Sequence, residues 1–97
     1  MSAREEYVQK MHELLDKLNA EIDVLASKAE HAENEVRDEY RQQITHLRAR
    51  QHDARTKLAN LRNAGEGAWE DLKAGVDMAK DAIGEALDSA RSRFNRP

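Results

Sequence analysis

Several kinds of residue are missing from this chain or scarce in it, and each absence excludes a class of protein. None of the 97 residues is cysteine, which excludes disulfides, thiolate nucleophiles and zinc–thiolate sites. No apolar run approaches the roughly 18 residues that a membrane-spanning helix needs. The first ten residues contain no apolar segment of the kind found in secretory signals. We therefore expect a cytoplasmic protein.

Apolar and aromatic residues are also scarce. They make up 39% and 4% of the chain, whereas 36% of the residues are charged. Such a composition is typical either of a disordered chain or of long helices. The net charge of only −3, the single proline and the regular spacing of the apolar residues favour helices. We expect an all-α fold formed by one domain over residues 1–97.

The apolar residues of the first half step by three and four positions alternately, which is the heptad repeat of a coiled coil. The steps run from Val8 to Val36, shift to a four-four-three pattern as far as Leu47, and return to heptads through Leu61. No glycine or proline occurs between residues 3 and 64. The pattern predicts one long helix over residues 3–63, about 90 Å in length. Ser2 and Glu5 predict a capping box at its start.

The segment NAGEG, residues 63–67, predicts a turn, with Gly65 in the left-handed conformation and Gly67 as the next N-cap. Because the apolar register continues through this segment, an unbroken helix is the alternative. The following blocks, AWEDLKAGVDM and AKDAIGEALDS, repeat one pattern every eleven residues. Such a repeat keeps one apolar stripe on one side of a nearly straight helix. We expect an amphipathic helix over residues 67–94 that lies flat along another surface.

Charge is distributed unevenly along the chain. Residues 1–40 contain eleven acidic and five basic side chains, residues 41–62 contain one and six, and residues 63–97 contain seven and five. This distribution predicts a helical hairpin in which the acidic helix 67–94 packs along the basic segment 41–62, with Phe94 near Val36. The seam of residues 4–35 stays uncovered in such a hairpin. We therefore expect a homo-oligomer, a dimer or a larger helical bundle.

The packing and oligomer interface is assigned to the large apolar residues of both repeats. They are Val8, Met11, Leu15, Leu18, Ile22, Leu25, Val36, Tyr40, Ile44, Leu47, Leu58, Leu61, Leu72, Val76, Ile83, Leu87 and Phe94. On this interpretation the protein is a structural or interaction protein, since the seam itself makes the functional contacts.

The four histidines are the candidate metal ligands: His12, His31, His46 and His52. His12 with Asp16, and His31 with Glu35, have the i,i+4 spacing that lets two helical side chains reach one metal ion. The histidines lie beside the seam, however, and a metal site needs three or four converging ligands. We interpret them as solvated and expect neither a metal nor another cofactor; a metal-binding bundle is the second alternative function.

No pattern in the chain indicates catalysis. No carboxylate pair is marked as acid and base, and no glycine-rich loop matches a phosphate site. We therefore expect no enzyme and no small-molecule substrate.

The basic segment 41–62 lacks interleaved aromatic residues, so we expect no nucleic-acid partner. The first alternative function is peripheral membrane contact through helix 68–94, although its acidic polar face would be repelled by anionic lipids.

Two stretches, REEYVQKMHELLDKLNAEID and AWEDLKAGVDMAKDAIGEAL, resemble small bacterial coiled-coil domain-containing and stress-response proteins. The likeness covers the chain from Arg4 to Phe94, and its most specific part is WEDLKAGV. The last helix is also similar to apolipoprotein-type and desiccation-protein-type repeats. The resemblance implies a bacterial origin, a soluble helical protein and a role in stress. It implies no catalytic residues and supplies no site.

Overall fold

The computed structural model describes residues 2–94, which form three helices. They are α1 (Ala3–Glu30), α2 (Asn34–Arg62) and α3 (Glu66–Phe94). The all-α fold expected from the sequence is confirmed. The helices run up, down and up in a bundle of 50 × 20 × 18 Å. Helix α2 packs along both neighbours over most of its length, whereas α1 and α3 meet over a smaller area.

The single helix expected over residues 3–63 is wrong, because the chain reverses at His31–Glu33. The last turn of α1 closes with bonds from the His31 and Ala32 amides to the Lys28 and Ala29 carbonyls. The reversal lets both halves of the seam face each other, and burying each large apolar side chain contributes about 1.5–3 kcal/mol. That gain exceeds the cost of interrupting one helix, whose orphan carbonyls are bonded again within the turn.

The seam residues therefore pack within one chain. Of the large apolar residues assigned above, Met11, Leu15, Ile22, Leu25, Tyr40, Leu47, Leu58, Leu61, Val76, Ile83 and Leu87 are buried. Val8, Leu18, Ile44, Leu72 and Phe94 are half-buried against them. Val36, beside the α1–α2 turn, is 42% exposed. The uncovered seam that was our reason for expecting a second copy is thus covered by α2 and α3 of the same chain.

The second reversal lies at Asn63–Gly65, and α3 begins at Glu66. No residue among 2–94 has a positive φ, so the left-handed conformation expected for Gly65 is wrong. The turn instead uses bonds from the Asn63 and Ala64 amides to the Asn60 and Leu61 carbonyls. Gly67, expected as an N-cap, lies inside α3.

Two terminal features fix the ends of the bundle. Ser2 caps α1 by accepting a hydrogen bond from the Glu5 amide at 3.1 Å, as the capping-box pattern predicts. At the far end Phe94 stacks on Tyr40, with ring centroids 3.7 Å apart. Phe94 was expected near Val36, and it meets α2 one turn further along instead.

Candidate functional site

The basic segment of α2 pairs with α1 and not with α3 as the charge distribution led us to expect. Arg55 contacts Asp16 at 2.6 Å, and Arg48 contacts Asp23 at 3.0 Å. The hairpin of α2 with α3 brings Arg93 to within 3.7 Å of Glu39. All these side chains are well exposed, so each pair contributes at most about 1 kcal/mol. They align the helices without deciding the fold.

The histidines do not converge. His12 is half-buried on α1, and the other three are exposed on separate parts of the bundle. Within residues 2–94 no three histidine, aspartate or glutamate side chains come together where they could hold a metal ion.

The apolar face of α3 is used inside the bundle. Trp69, Val76, Ile83 and Leu87 are buried against α1 and α2. This face, which we considered for contact with lipid, reaches a membrane surface only if α3 leaves the bundle. None of the helices in the described part of the chain has the length and apolar character that crossing a membrane requires.

A polar and aromatic cluster links α1 to α3 at the end where α3 begins. The Tyr7 hydroxyl donates to the Asp77 carboxylate, and its ring meets Trp69 edge-on, with centroids 6.1 Å apart. The Arg4 guanidinium lies 4.6 Å from the Trp69 ring centroid, and the Lys73 ammonium 5.2 Å from that of Tyr7. Such cation–π contacts contribute about 0.5–1 kcal/mol each at exposed sites. Sequence analysis missed Tyr7, although it lies one turn before Met11.

The environment of Tyr7 raises the pKa of its hydroxyl above the ordinary value. Partial burial disfavours the phenolate, and the hydrogen bond to Asp77 adds to this effect. The folded chain therefore holds this proton more tightly than the unfolded chain does. The resulting stabilisation is complete below pH ~10, where an unfolded tyrosine titrates, and is lost as the pH rises above it.

We expect this alkaline loss of stability to disappear in part when Tyr7 is replaced by phenylalanine. Urea unfolding of both proteins near neutral pH and above pH ~10 measures it. The stability difference between the two proteins should shrink on going to the higher pH. An unchanged difference would show that folding does not raise the pKa of Tyr7.

A groove of about 440 Å³ runs between α1 and α3 in the middle of the bundle. Its α1 wall consists of Leu14, Lys17, Leu18 and Glu21, and its α3 wall of Lys80, Asp81, Gly84 and Glu85. Leu14 and Leu18 are half-buried and pack against the core. The groove exists because α1 and α3 touch over a smaller area than either does with α2.

Two contacts bridge α1 and α3 on either side of this groove. Towards the start of α3 the bridge is the hydrogen bond between Tyr7 and Asp77. Towards its end, Arg91 contacts Glu21 at 3.1 Å. These two contacts are made by side chains on the helices themselves and fix the spacing of α1 and α3 on either side of the groove.

Gly84 leaves space in the α3 wall of the groove. A Cβ built on Gly84 would meet no atom within 4 Å. Glycine in a helix interior costs about 1 kcal/mol relative to alanine, and no close contact among the described residues requires a glycine here. Within the described chain no backbone of another helix approaches Gly84 closely.

A second and larger groove, about 740 Å³, lies at the end where α1 starts. Val8, Leu61 and Trp69 provide apolar surface, and charged groups of both signs, such as Glu13 and Arg62, line the same groove. Since no charge predominates, the chemistry of this groove does not select one class of ligand.

The α1–α3 groove is therefore the candidate interaction site, formed by two half-buried leucines and an open helix backbone. Comparison with protein-family models, with curated proteins and with solved structures finds no match to this chain.

Proposed function

We propose that this chain is a non-enzymatic interaction protein that associates with a second copy of itself through the α1–α3 groove. The observation that carries the proposal is the unfilled space between Leu18 and Gly84, where half-buried apolar surface faces outward. A second copy packed on this face would cover the leucines and bring its own α1 close to the α3 backbone at Gly84. The bacterial cytoplasm and a role in stress, which the sequence resemblance implies, belong to the same proposal.

The charges beside the groove favour a second copy as the occupant. Lys10, Lys17 and Lys28 are exposed and spaced by seven and eleven residues, so they form a lysine row on one face of α1. Asp81, Glu85 and Asp88 are exposed and form an acidic row on α3. One surface thus carries both members of a complementary pair of rows, which is what a symmetric interface requires.

A two-fold axis parallel to the helices brings the two rows together. Rotation about such an axis places α1 of one copy over α3 of the other, and the reverse on the opposite side. Lys17 and Glu85 line opposite walls of the groove. The rotation sets Lys17 of each copy against Glu85 of the other, and the leucines lie between these pairs.

Replacing Leu18 with aspartate is expected to abolish dimerisation. Leu18 is already half-buried, so covering it gains about half of the 1.5–3 kcal/mol of a fully buried leucine. The symmetric interface loses this contribution twice and must also bury two carboxylates. The dissociation constant should therefore rise by about a hundredfold or more, because 1.4 kcal/mol corresponds to a factor of ten. Sedimentation equilibrium over a wide range of protein concentration measures it.

The matched control is Ala59→Asp, which adds the same carboxylate to an exposed position of α2. It should leave the dissociation constant within a factor of about two, since surface substitutions typically change free energies by less than 0.5 kcal/mol. Circular dichroism checks that both variants stay helical. A wild-type protein that sediments as a monomer at every concentration would refute the proposal.

Exchanging charges across the interface tests the direction of the two-fold axis. Lys17→Glu and Glu85→Lys should each weaken the dimer about three- to tenfold, because each places like charges together twice. The double variant Lys17→Glu/Glu85→Lys should regain most of the lost affinity. If the two single effects simply add in the double variant, Lys17 and Glu85 do not face each other.

Lipid binding by α3 remains the alternative function and is tested separately. The buried face of α3 would have to leave the core, so binding would be accompanied by loss of the Tyr7–Trp69 contact. Flotation with neutral and anionic vesicles, together with the fluorescence of the single tryptophan, measures both events.

A further inference from the structure

The α1–α2 turn is built without the residues that normally prevent a helix from continuing. Residues 30–37 contain neither glycine nor proline, and no residue from 2 to 94 has a positive φ. His31 has φ −98° and ψ 1°, close to the helical region. Glu33 has a helical φ of −65°, and only its ψ of 156° is extended. Of the angles at His31 and Glu33, only the Glu33 ψ lies far from helical values, so making these two residues helical requires chiefly that rotation.

Few polar contacts hold this turn in its reversed form. The Glu33 side chain makes no capping hydrogen bond with α2. Besides the two backbone bonds from the His31 and Ala32 amides, the turn has one specific side-chain contact among the described residues, the bond from Arg37 Nη2 to the Ala32 carbonyl, 3.0 Å long. The Nε of the same arginine is buried without a partner. The bond from the Arg37 amide to the Glu33 carbonyl is the ordinary i−4 bond of a helix and would persist in a straight one.

The apolar seam continues through the turn. Ala29, Ala32, Val36 and Tyr40 follow one another at steps of three, four and four. Val36 is 42% exposed in the bundle, although its neighbours in the seam are covered, Tyr40 fully and Ala32 in part. In a continuous helix Val36 would lie on the same stripe as they do and would need a covering helix.

We infer that two copies of this chain exchange α1 by straightening residues 31–33 into a continuous helix from Ala3 to Arg62. Each α1 then packs on α2 and α3 of the other copy. The contacts between Arg55 and Asp16 and between Arg48 and Asp23 are formed again, now between copies. The exchanged dimer differs from two separate bundles mainly at the turn, which is the condition under which such exchange costs little.

The dimensions are consistent with this arrangement. A helix of about 60 residues is ~90 Å long, and each bundle is 50 Å long. The two bundles would therefore lie end to end, with the long helices antiparallel. A dimer joined through the α1–α3 groove would instead lie side by side and stay about as long as one bundle. The α1–α3 groove is rebuilt in each half of the exchanged dimer, so the two modes are independent.

The chain has no cysteine, so an engineered pair reports the exchange directly. Asp16→Cys with Arg55→Cys replaces two side chains in contact across α1 and α2. A short bismaleimide links them within one chain in the separate bundle and between two chains in the exchanged dimer. A groove dimer keeps both positions within each chain, and it therefore gives only the intrachain product.

The protein is unfolded in urea, refolded at low and at high protein concentration, and then cross-linked and run on a denaturing gel. We expect the intrachain product at low concentration and a covalent dimer at high concentration. Small-angle scattering of the refolded dimer should show a maximum dimension about twice that of the monomer. If the intrachain product is the only one at every concentration, the exchange does not occur.

Two substitutions at Glu33 assign the hinge. Glu33→Pro suits the turn, because its φ of −65° is that of proline, but it interrupts a continuous helix. Glu33→Ala favours a continuous helix. We expect the yield of covalent dimer to fall about tenfold or more in the proline variant and to increase in the alanine variant. Thermal unfolding checks that the proline variant is still folded, and sedimentation checks that it is a monomer. A covalent dimer unaffected by either substitution would overturn the assignment of the hinge to residues 31–33.

Discussion

Replacing Leu58 with alanine is expected to lower the free energy of unfolding of the isolated chain by about 2–5 kcal/mol. Leu58 is 0% exposed and belongs to the core, about one turn before the end of α2. The substitution removes apolar contacts and leaves a cavity that the surrounding helices fill only in part. Domains of this kind have total stabilities of about 5–15 kcal/mol, so the variant should unfold at much lower urea concentration.

Val36→Ala is the control for this substitution, since the sequence assigns both residues to the same seam. Because Val36 is 42% exposed, its truncation should cost no more than about 0.5–1 kcal/mol. Both variants are best made in the Leu18→Asp background, in which the proposed groove dimer cannot form. Equal losses in the two variants, or midpoints that rise with protein concentration, would show that the seam is covered by another chain.

Replacing Gln51 with leucine is expected to raise the stability by about 1–2 kcal/mol. Gln51 is 5% exposed on the core face of α2, at a seam position otherwise held by apolar residues. Its Nε2 donates to the Leu15 carbonyl at 2.8 Å, whereas its Oε1 is buried without a partner. A neutral hydrogen bond contributes about 0.5–1.5 kcal/mol net, and an unsatisfied buried acceptor costs about 1–3 kcal/mol. The leucine removes the cost and adds apolar contacts.

The comparison with Gln51→Glu separates the effect of side-chain polarity from the effect of side-chain volume. Glutamate has nearly the same shape but places a carboxylate in the core, which should lower the stability by about 3 kcal/mol or more near neutral pH. The loss should shrink as the pH falls and the carboxyl group is protonated. Urea unfolding at several pH values measures both variants. A leucine variant less stable than the wild type would mean that the hydrogen bond to Leu15 outweighs the unpaired oxygen.

Gln51 also bears on how the helices find their register. A single polar residue in an apolar seam often fixes alignment at a cost in stability. Its bond to the Leu15 carbonyl ties one level of α2 to one level of α1. The leucine variant, although more stable, should therefore tolerate shifted alignments of these two helices more readily.

The sequence contained a sign of the bundle that the heptad analysis did not use. Tyr7 and Leu14 lie beside the seam and are spaced by seven residues, and both pack against the core. An apolar face that is wider than the two positions of a coiled-coil seam is typical of a helix with two neighbours in a bundle. The narrow seam suggested that α1 packs against one other helix, whereas Tyr7 and Leu14 indicated a second neighbouring helix.

The α1–α2 turn could be located from sequence only in part. Between Leu25 and Val36 the seam contains no large apolar residue, only Ala29 and Ala32. Lys28 lies in the last turn of α1 and Glu35 in the first turn of α2, as the helix dipole favours. These signals are weak, since the same residues are good helix formers. Because residues 31–33 can form either a turn or a helix, we proposed above that α1 can be exchanged between two copies.

Taken alone, the amino-acid sequence determined that the chain is helical, which stripe of each helix is apolar, and where Ser2 caps α1. These properties depend on spacing and on contacts within a few residues, so local physics is sufficient to fix them. Only the tertiary structure decided what covers the stripe: α2 and α3 of the same chain, after a reversal at residues 31–33. An apolar stripe gains the same free energy against any apolar surface, so its partner is chosen by the whole fold.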